Sequence, residues 1–315
     1  MKQKMKDFPN TSIIIMVCVM LISLPVTALS QDQYEADDTF EQARVIVLSK
    51  VSLHHHDFHD ADDADWVRFY GLSGIKYSIQ TASQGTTCDF VIELYDTDGE
   101  TLLESQDTTG DLYADELLND WECPRDGIYY MKIWRYHPNA DDTVCDNTEY
   151  DLRVWNKIAP FAAPITIRGT VRNAFSNAPL GDVMIKTVED DTEPRASALS
   201  ERGDGSYLMF HEPGIYIMRA MAFGFEMFTD LLDIKEDGKR EAEIQKDIFL
   251  VPKIDINGDD TVDLADAVLG LKIASGMEVS GLIISDYLTS DIDVNGDNKI
   301  GLEEVMYIIR KVAGI

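Results

Sequence analysis

Apolar residues in this chain follow two rhythms. Between residues 35 and 251 they come in short runs, rich in aromatic and β-branched side chains, that end at Gly, Asp, Asn or Pro. Residues 66–70, 76–79, 90–95, 128–134 and 150–155 form a first series; residues 165–171, 182–187, 205–210 and 214–220 form a second. Alternation within several runs predicts strands of antiparallel sheets with one buried face. The passage 160–164, framed by Pro160 and Pro164, is nonperiodic and marks a boundary between the series. Near residue 255 the rhythm changes. Leu264, Val268 and Leu271, then Leu302, Met306 and Ile309, recur at three- and four-residue spacing, which predicts amphipathic helices over 264–275 and 302–313. The first ends at Ser275-Gly276 and the second reaches Gly314.

Each helix follows a run of short oxygen side chains in the same order. Asp255, Asn257 and Asp259 hold positions 1, 3 and 5 of one loop, and Asp293, Asn295 and Asp297 hold those of the other, so three donors converge on one hard cation. Thr261 and Lys299 stand at position 7, where a backbone carbonyl ligates; Asp263 stands at position 9, and Asp266 or Glu304 at position 12. Glu304 can reach an ion with both oxygens, whereas Asp266 is one methylene shorter. Asp260 and Asn298 replace the usual Gly at position 6, and both residue types tolerate the left-handed turn better than other side chains. Val262 and Ile300 at position 8 fit an apolar pair joining the loops. The expected fold class is therefore a mainly β multidomain protein: two antiparallel β-sandwiches, residues 35–157 and 163–251, followed by a small α-helical paired calcium-loop module over 252–315 that holds two Ca2+ ions.

With Lys272 and Arg310 at position 18, the duplicated loop and helix resemble the dockerin module of secreted bacterial enzymes and scaffolds, over about residues 251–315. The resemblance implies a cohesin partner selected through positions 10 and 11, here Leu264 with Ala265 and Leu302 with Glu303, beside Lys272 and Arg310. These are not the small hydroxyl pairs common in that family, and the loops start 38 residues apart, from Asp255 to Asp293, more than is usual.

The first strand series is similar to the bacterial pre-peptidase C-terminal domain. The matching features are the acidic opening 35–38, residues 65–69 with Gly71 just after, residues 90–96 with Gly99, and residues 127–130. Such domains act as accessory or substrate-binding modules, and some related collagen-binding modules hold calcium. The second series resembles a carboxypeptidase-regulatory-like or transthyretin-like sandwich, through Gly169, the turn 179–181, residues 204–207 and residues 222–225. That resemblance implies a noncatalytic spacer, adhesin-like unit or fold support.

Lys2, Lys4 and Lys6 precede the apolar run 13–26 and the small residues Ala28 and Ser30, an arrangement expected of a signal peptide over residues 1–30, cleaved before Gln31. A retained membrane anchor is the alternative, but the run falls short of the roughly 20 residues of a spanning helix. The expected location is secreted, extracellular or cell-surface associated, with no retained membrane segment. A net charge of -30 without a basic footprint argues against nucleic acid as a partner. Of the four cysteines, Cys18 leaves with the signal, so Cys88, Cys123 and Cys145 give one disulfide and one free thiol. Cys123 with Cys145 is the first choice, and Cys88 with either is the alternative.

Catalytic patterns are scarce: there is no nucleophile elbow, zinc-protease helix or phosphate-cradling glycine loop. Glu93, Asp96, Asp115 and Glu116 have the chemistry of a glycosidase pair, but among 57 acidic residues ordinary surface charge is the simpler explanation. Trp66, Trp121, Trp134 and Trp155 read as packing residues before a sugar platform. Residues 54–60 combine four histidines with two aspartates, donors suited to zinc, nickel or copper. Adjacent side chains in a strand face opposite ways, so the stretch reads as an exposed connecting loop. The next reading has Asp62, Asp63 or Asp65 assisting an additional calcium ion near the N-terminal domain.

The favoured functional reading is an extracellular, noncatalytic, calcium-binding assembly or adhesion protein. It would dock to a cohesin-bearing scaffold while its sandwiches face an extracellular polysaccharide or protein surface. Two other classes stay open: a secreted enzyme acting on polysaccharide or protein with chemistry hidden in residues 31–157, and a calcium-stabilised structural protein without a cohesin partner.

Overall fold

The computed structural model describes residues 32–314 except 60–62, 84–87, 108–114, 137–147, 159–164, 191, 236–242, 260, 284–293 and 295–298. The expected signal segment 1–30 lies outside the described residues, among which no helix is long and apolar enough to cross a membrane.

Strands β1 (Arg44–Val45), β2 (His54–Asp57), β3 (Ala64–Gly71), β4 (Lys76–Ser83), β5 (Phe90–Tyr95), β6 (Leu102–Gln106), β7 (Leu117–Glu122), β8 (Gly127–Arg135) and β9 (Glu149–Asn156) build the first sandwich. Its sheets run β1-β3-β8-β5-β6 and β2-β9-β4-β7. β1 joins β3 in parallel and the other pairings are antiparallel. Period-2 alternation turns Phe90, Ile92 and Leu94 of one sheet toward Tyr150, Leu152 and Val154 of the other, and these residues are fully buried in a common core. Removing that apolar surface from water is what holds the two sheets face to face. Trp121 packs against this core and Trp66 against Tyr130 and Ala43, the packing role expected for them.

The second sandwich comprises β10 (Ile165–Asn173), β11 (Met184–Glu189), β12 (Glu193–Leu199), β13 (Ser206–His211), β14 (Gly214–Met221), β15 (Phe228–Ile234), β16 (Glu243–Gln245) and β17 (Ile248–Leu250). One sheet runs β13-β10-β16 with β17 also on β10, and the other β12-β11-β14-β15. β16 and β17 both run parallel to β10, a departure from the purely antiparallel expectation. Ile167, Val171, Ile185, Met218 and Ile248 fill its separate core.

The sandwiches meet where β3 lies against β12. Tyr70, Leu72 and Leu199 are buried together, and the Ser197 hydroxyl donates to the Tyr70 carbonyl at 3.0 Å. Arg68, 1% exposed, reaches Asp182 at 2.9 Å and Glu201 at 3.4 Å. Arg202 also binds Asp182, at 2.6 Å, and donates to the Glu41 carbonyl. Arg68→Ala is expected to cost about 2 kcal/mol, below the range for a fully buried pair because Asp182 is a third exposed and keeps Arg202. Urea unfolding measures it, and a cost under about 0.5 kcal/mol would show the joint does not depend on this pair.

Helices α1 (Leu264–Ala274) and α2 (Leu302–Ala313) follow. Asp263 caps α1 by accepting from the Ala265 amide at 2.6 Å, while Asp266 accepts from the Asp263 amide at 2.9 Å, a reciprocal capping box. Ile254, Ile256, Ala267, Leu269, Ile300 and Ile308 make a small core between the helices and their leading loops. The pair rests on the second sandwich through Phe175 against Tyr307, ring centres 5.0 Å apart, and Lys311 with Glu226 at 2.5 Å.

The cysteines differ from the first expectation. Cys88 is disulfide-bonded, its partner outside the described residues, and Cys123 is a buried free thiol. Just after β7 the chain turns Cys123 into the sandwich core, where its thiol donates to the Arg125 carbonyl at 3.0 Å.

Candidate functional site

The first part of the histidine run, His54–Asp57, is strand β2 and not part of an exposed loop as expected. β2 pairs with β9, placing His54 opposite Leu152 and His56 opposite Tyr150. Alternation then buries His54 and His56 and turns His55 to solvent, where its side chain is 72% exposed. His54 accepts the Val47 amide on Nε2 at 3.2 Å. Burial, with His56 nearby, pushes its pKa down to about 4, so it serves as a neutral acceptor.

His56 faces a different neighbourhood. Residues 32–38 cross the start of β3, tied there by the Trp66 amide donating to the Asp37 carbonyl at 2.9 Å and by Arg44 donating to the carbonyls of Tyr34 and Glu35 at 2.7 and 3.0 Å. Three groupings of metal-capable donors result, each with ligand atoms within 4.8 Å of one another: Asp32–His56–Asp65, Glu35–Asp63–Asp65 and Glu35–Asp38–His59. They form a chain, because Asp65 belongs to the first two and Glu35 to the last two.

Burial makes this concentration of acid costly. Asp37 and Asp65 are both 0% exposed. Neither Asp37 oxygen has a hydrogen-bond partner, nor do Asp65 Oδ1 or Asp63 Oδ1, while Glu35 Oε1 lies 2.5 Å and Asp63 Oδ2 2.6 Å from His59 Nδ1. Burial, reinforced by Asp65, pushes the Asp37 carboxyl up to about 9 and Asp63 up to about 7, and burial also raises Glu35. For His56, burial opposes the imidazolium, but Asp32 and Asp65 outweigh it and push the group up to about 10. Buried carboxylates ordinarily accept hydrogen bonds or bind a cation. A site rich in carboxylate oxygen suits a hard divalent ion, calcium above all. Glu35, Asp63 and Asp65 supply the donors, and Asp37 adds charge beside them.

The C-terminal loops behave differently. In the first, Asp255 Oδ1 accepts from the amides of Gly258 and Asp259 at 2.8 and 3.3 Å, Asn257 Oδ1 from Asp259 at 3.0 Å, and Asp259 Oδ1 from Thr261 at 2.9 Å. Asp266 accepts from Ile256, Asn257 and Asp263, and Glu304 from Val294 and Gly301. Asp293, Asn295 and Asp297 lie outside the described residues. Among the described residues, the groupings able to hold a metal ion lie between positions 32 and 65 and not in the helical module. This corrects the expectation of two calcium ions at the C-terminus: the described loop carboxylates satisfy their own backbone, whereas at the N-terminal centre both Asp37 oxygens and the Oδ1 atoms of Asp63 and Asp65 are buried without a hydrogen-bond donor.

Both helices present apolar residues outward. Leu264, Ala265, Val268 and Lys272 help line a groove of about 710 Å³, and Leu302, Glu303, Met306 and Arg310 line another of about 410 Å³ with Phe175 and Tyr307. Leu264 is 61% and Leu302 62% exposed. The residues expected to bind a partner thus gather into two grooves equivalent by sequence position.

Other acids have local roles: Asp96 pairs with Arg125 at 2.7 Å, and Glu93 accepts from the Tyr95 hydroxyl at 2.8 Å. His211 meets Thr187 at 2.7 Å within the second sandwich.

No protein-family model matches the chain, and no curated protein matches it. Among solved structures, an interface mutant of the type II cohesin–X–dockerin complex of Acetivibrio cellulolyticus is similar at 16% identity over 46% of this chain and 94% of that one, with a TM-score of 0.31. The pre-peptidase C-terminal domain of a Bacillus anthracis collagenase is similar at 18% identity over 36% and 93%, TM-score 0.27. The major pilin subunit of Bacillus cereus is similar at 7% over 68% and 69%, TM-score 0.22. Likeness at these scores assigns neither family nor function.

Proposed function

We propose that this chain is an extracellular, noncatalytic assembly or adhesion protein, whose helix pair docks to a cohesin-like partner while the two sandwiches carry it and face an extracellular surface. Its modules would be 35–157, 163–251 and 252–315 after a signal of residues 1–30, with a calcium-class ion on the acidic centre fixing the N-terminal segment of the first sandwich. The carrying observation is the pair of exposed apolar rows, Leu264, Val268 and Leu271 on α1 and Leu302, Met306 and Ile309 on α2. Contiguous exposed apolar side chains rimmed by charge are the usual composition of an interaction surface. Lys272 and Arg310 supply that rim.

Purified full chain should bind a member of a panel of cohesin modules saturably. The double substitution Leu264→Glu with Leu302→Glu should weaken binding roughly 10- to 100-fold, the equivalent of losing one or two buried leucine contacts. Absence of binding across the panel, with both helix faces protected from hydrogen exchange in the free protein, would favour the purely structural role instead.

A further inference from the structure

We propose that Asp32, His56 and Asp65 form a distinct metal site for a borderline divalent transition ion of the zinc class, adjoining the oxygen-only grouping of Glu35, Asp63 and Asp65 through shared Asp65. The proposal rests on the calcium-class reading only in that shared residue.

Geometry is the first support. His56 Nδ1 lies 3.4 Å from Asp32 Oδ2 and 3.7 Å from Asp65 Oδ1. Ligands at about 2.0–2.2 Å around a tetrahedral ion stand roughly 3.3–3.6 Å from one another, so both distances from His56 are near those of such a site, and all three residues have ligand atoms within 4.8 Å of one another. The His56 side chain is completely buried, and neither ring nitrogen makes a hydrogen bond, nor does Asp65 Oδ1. A fully enclosed imidazole is therefore aimed between two carboxylates at ion-pair distance without the hydrogen bond that buried polar groups normally find.

Preorganisation is the second. The imidazole is stacked with Tyr34 at 4.6 Å and 25° and with Tyr150 at 5.5 Å and 22°, which fixes its plane. The Tyr150 hydroxyl donates to Asp65 Oδ2 at 2.5 Å, orienting Oδ1 toward the ring. Asp32 is held by the Tyr34 amide on Oδ1 at 2.6 Å and the Asp57 amide on Oδ2 at 3.1 Å. Such supporting contacts are what fix first-ligand orientation in protein metal sites.

Ligand type selects the ion. Calcium and magnesium take oxygen donors, whereas imidazole suits zinc and its neighbours. The adjoining grouping of Glu35, Asp63 and Asp65 offers three carboxylates, with His59 Nδ1 paired to Glu35 at 2.5 Å and to Asp63 at 2.6 Å, so the grouping around His56 is the one whose imidazole is completely buried and free of hydrogen bonds. The contrary arrangement is an imidazolium, with no metal, ion-paired to both carboxylates.

The test uses metal-stripped full chain titrated with zinc chloride in excess calcium chloride, followed by cobalt(II) as a spectroscopic probe. One zinc equivalent should bind despite calcium, and cobalt should show the visible bands of a four-coordinate ion with imidazole ligation. His56→Gln should weaken zinc at least tenfold and abolish those bands while calcium titrates as in the wild type; His55→Gln should change neither. If His56→Gln does not fold, Asp32→Asn serves as the second variant, with the same loss expected. Mole-for-mole displacement of zinc by calcium, unchanged zinc affinity in a folded variant, or absence of both zinc heat and the cobalt spectrum would overturn the proposal. Zinc binding without any calcium heat would instead sink only the calcium-class reading.

Discussion

Gly169→Ala is expected to destabilise the second sandwich by about 3 kcal/mol or more, at the high end for overpacking a close-packed interior. A Cβ at this point of β10 would lie 1.9 Å from the Lys246 carbonyl oxygen and 2.9 Å from Tyr207 Cε1. Lys246 stands between β16 and β17, where the chain leaves β10 and returns to it; its amide donates to the Arg168 carbonyl at 2.8 Å and its carbonyl accepts from the Tyr207 hydroxyl at 2.6 Å. The two nearest obstructing atoms are Lys246 backbone, pinned from two sides, so they cannot swing aside as a side-chain tip could. Gly203→Ala is the control, since nothing lies within 4 Å of its added Cβ. Denaturant unfolding of both variants checks the expectation, which fails if Gly169→Ala costs no more than its control.

Removing divalent ions should produce a second large effect, one that grows with pH. In the metal-free centre Asp37 is raised from 3.8 to about 9, Asp63 to about 7 and His56 from 6.5 to about 10. Each folded-state value exceeds the unfolded one, so each group contributes stability fully present below its unfolded pKa and lost as pH rises through the folded value. His54 and the lowered carboxyls Asp126, Asp230 and Asp247 act in the opposite sense, but at pH below 6.5. Between pH 6.5 and 9, therefore, chelated protein should lose stability steadily. A calcium-class ion replaces the missing positive charge, and at a hundredfold excess over its dissociation constant contributes about 2.7 kcal/mol. Scanning calorimetry at pH 6.5 and 9, with chelator and with calcium, should show a melting-temperature gain from calcium that widens toward pH 9. Asp37→Asn should flatten the chelated protein's slope. A chelator effect that is absent, or larger at pH 6.5, would contradict the expectation.

The strands that the sequence exposes are those whose inward side chains are apolar. β3, β5, β8 and β9 fall on the runs at 66–70, 90–95, 128–134 and 150–155, and both helices begin at the leucines that open their repeats. β2 escapes because its buried positions carry His54 and His56, and β6, β7 and β15 escape because they are half polar edge strands. Gly169 stood out in sequence only as part of a resemblance; its physical reason, a carbonyl arched over it, depends on residues some 77 positions away, as the Thr170–Asp247 contact shows. The metal-capable centre was legible only in pieces. Its donors come from residues 32–38, 54–59 and 63–65, brought together by the β2–β9 pairing, the Tyr150–Asp65 hydrogen bond and the Trp66–Asp37 backbone bond, so no single spacing announces it. The C-terminal loop carries its oxygen donors at regular spacing within twelve residues, and a contiguous pattern is easier to see than a buried one. The unpaired state of Cys123 likewise follows from which way the chain turns after β7, not from cysteine spacing.

The placement of the hard-cation site is most directly tested by calorimetric titration of metal-stripped full chain with calcium, in wild type, in the double variant Asp63→Asn with Asp65→Asn, and in Asp255→Ala, each first checked for folding. Calcium heat should be lost in the double variant and retained in Asp255→Ala. Retention in the double variant together with loss in Asp255→Ala would contradict a centre built from residues 32–65.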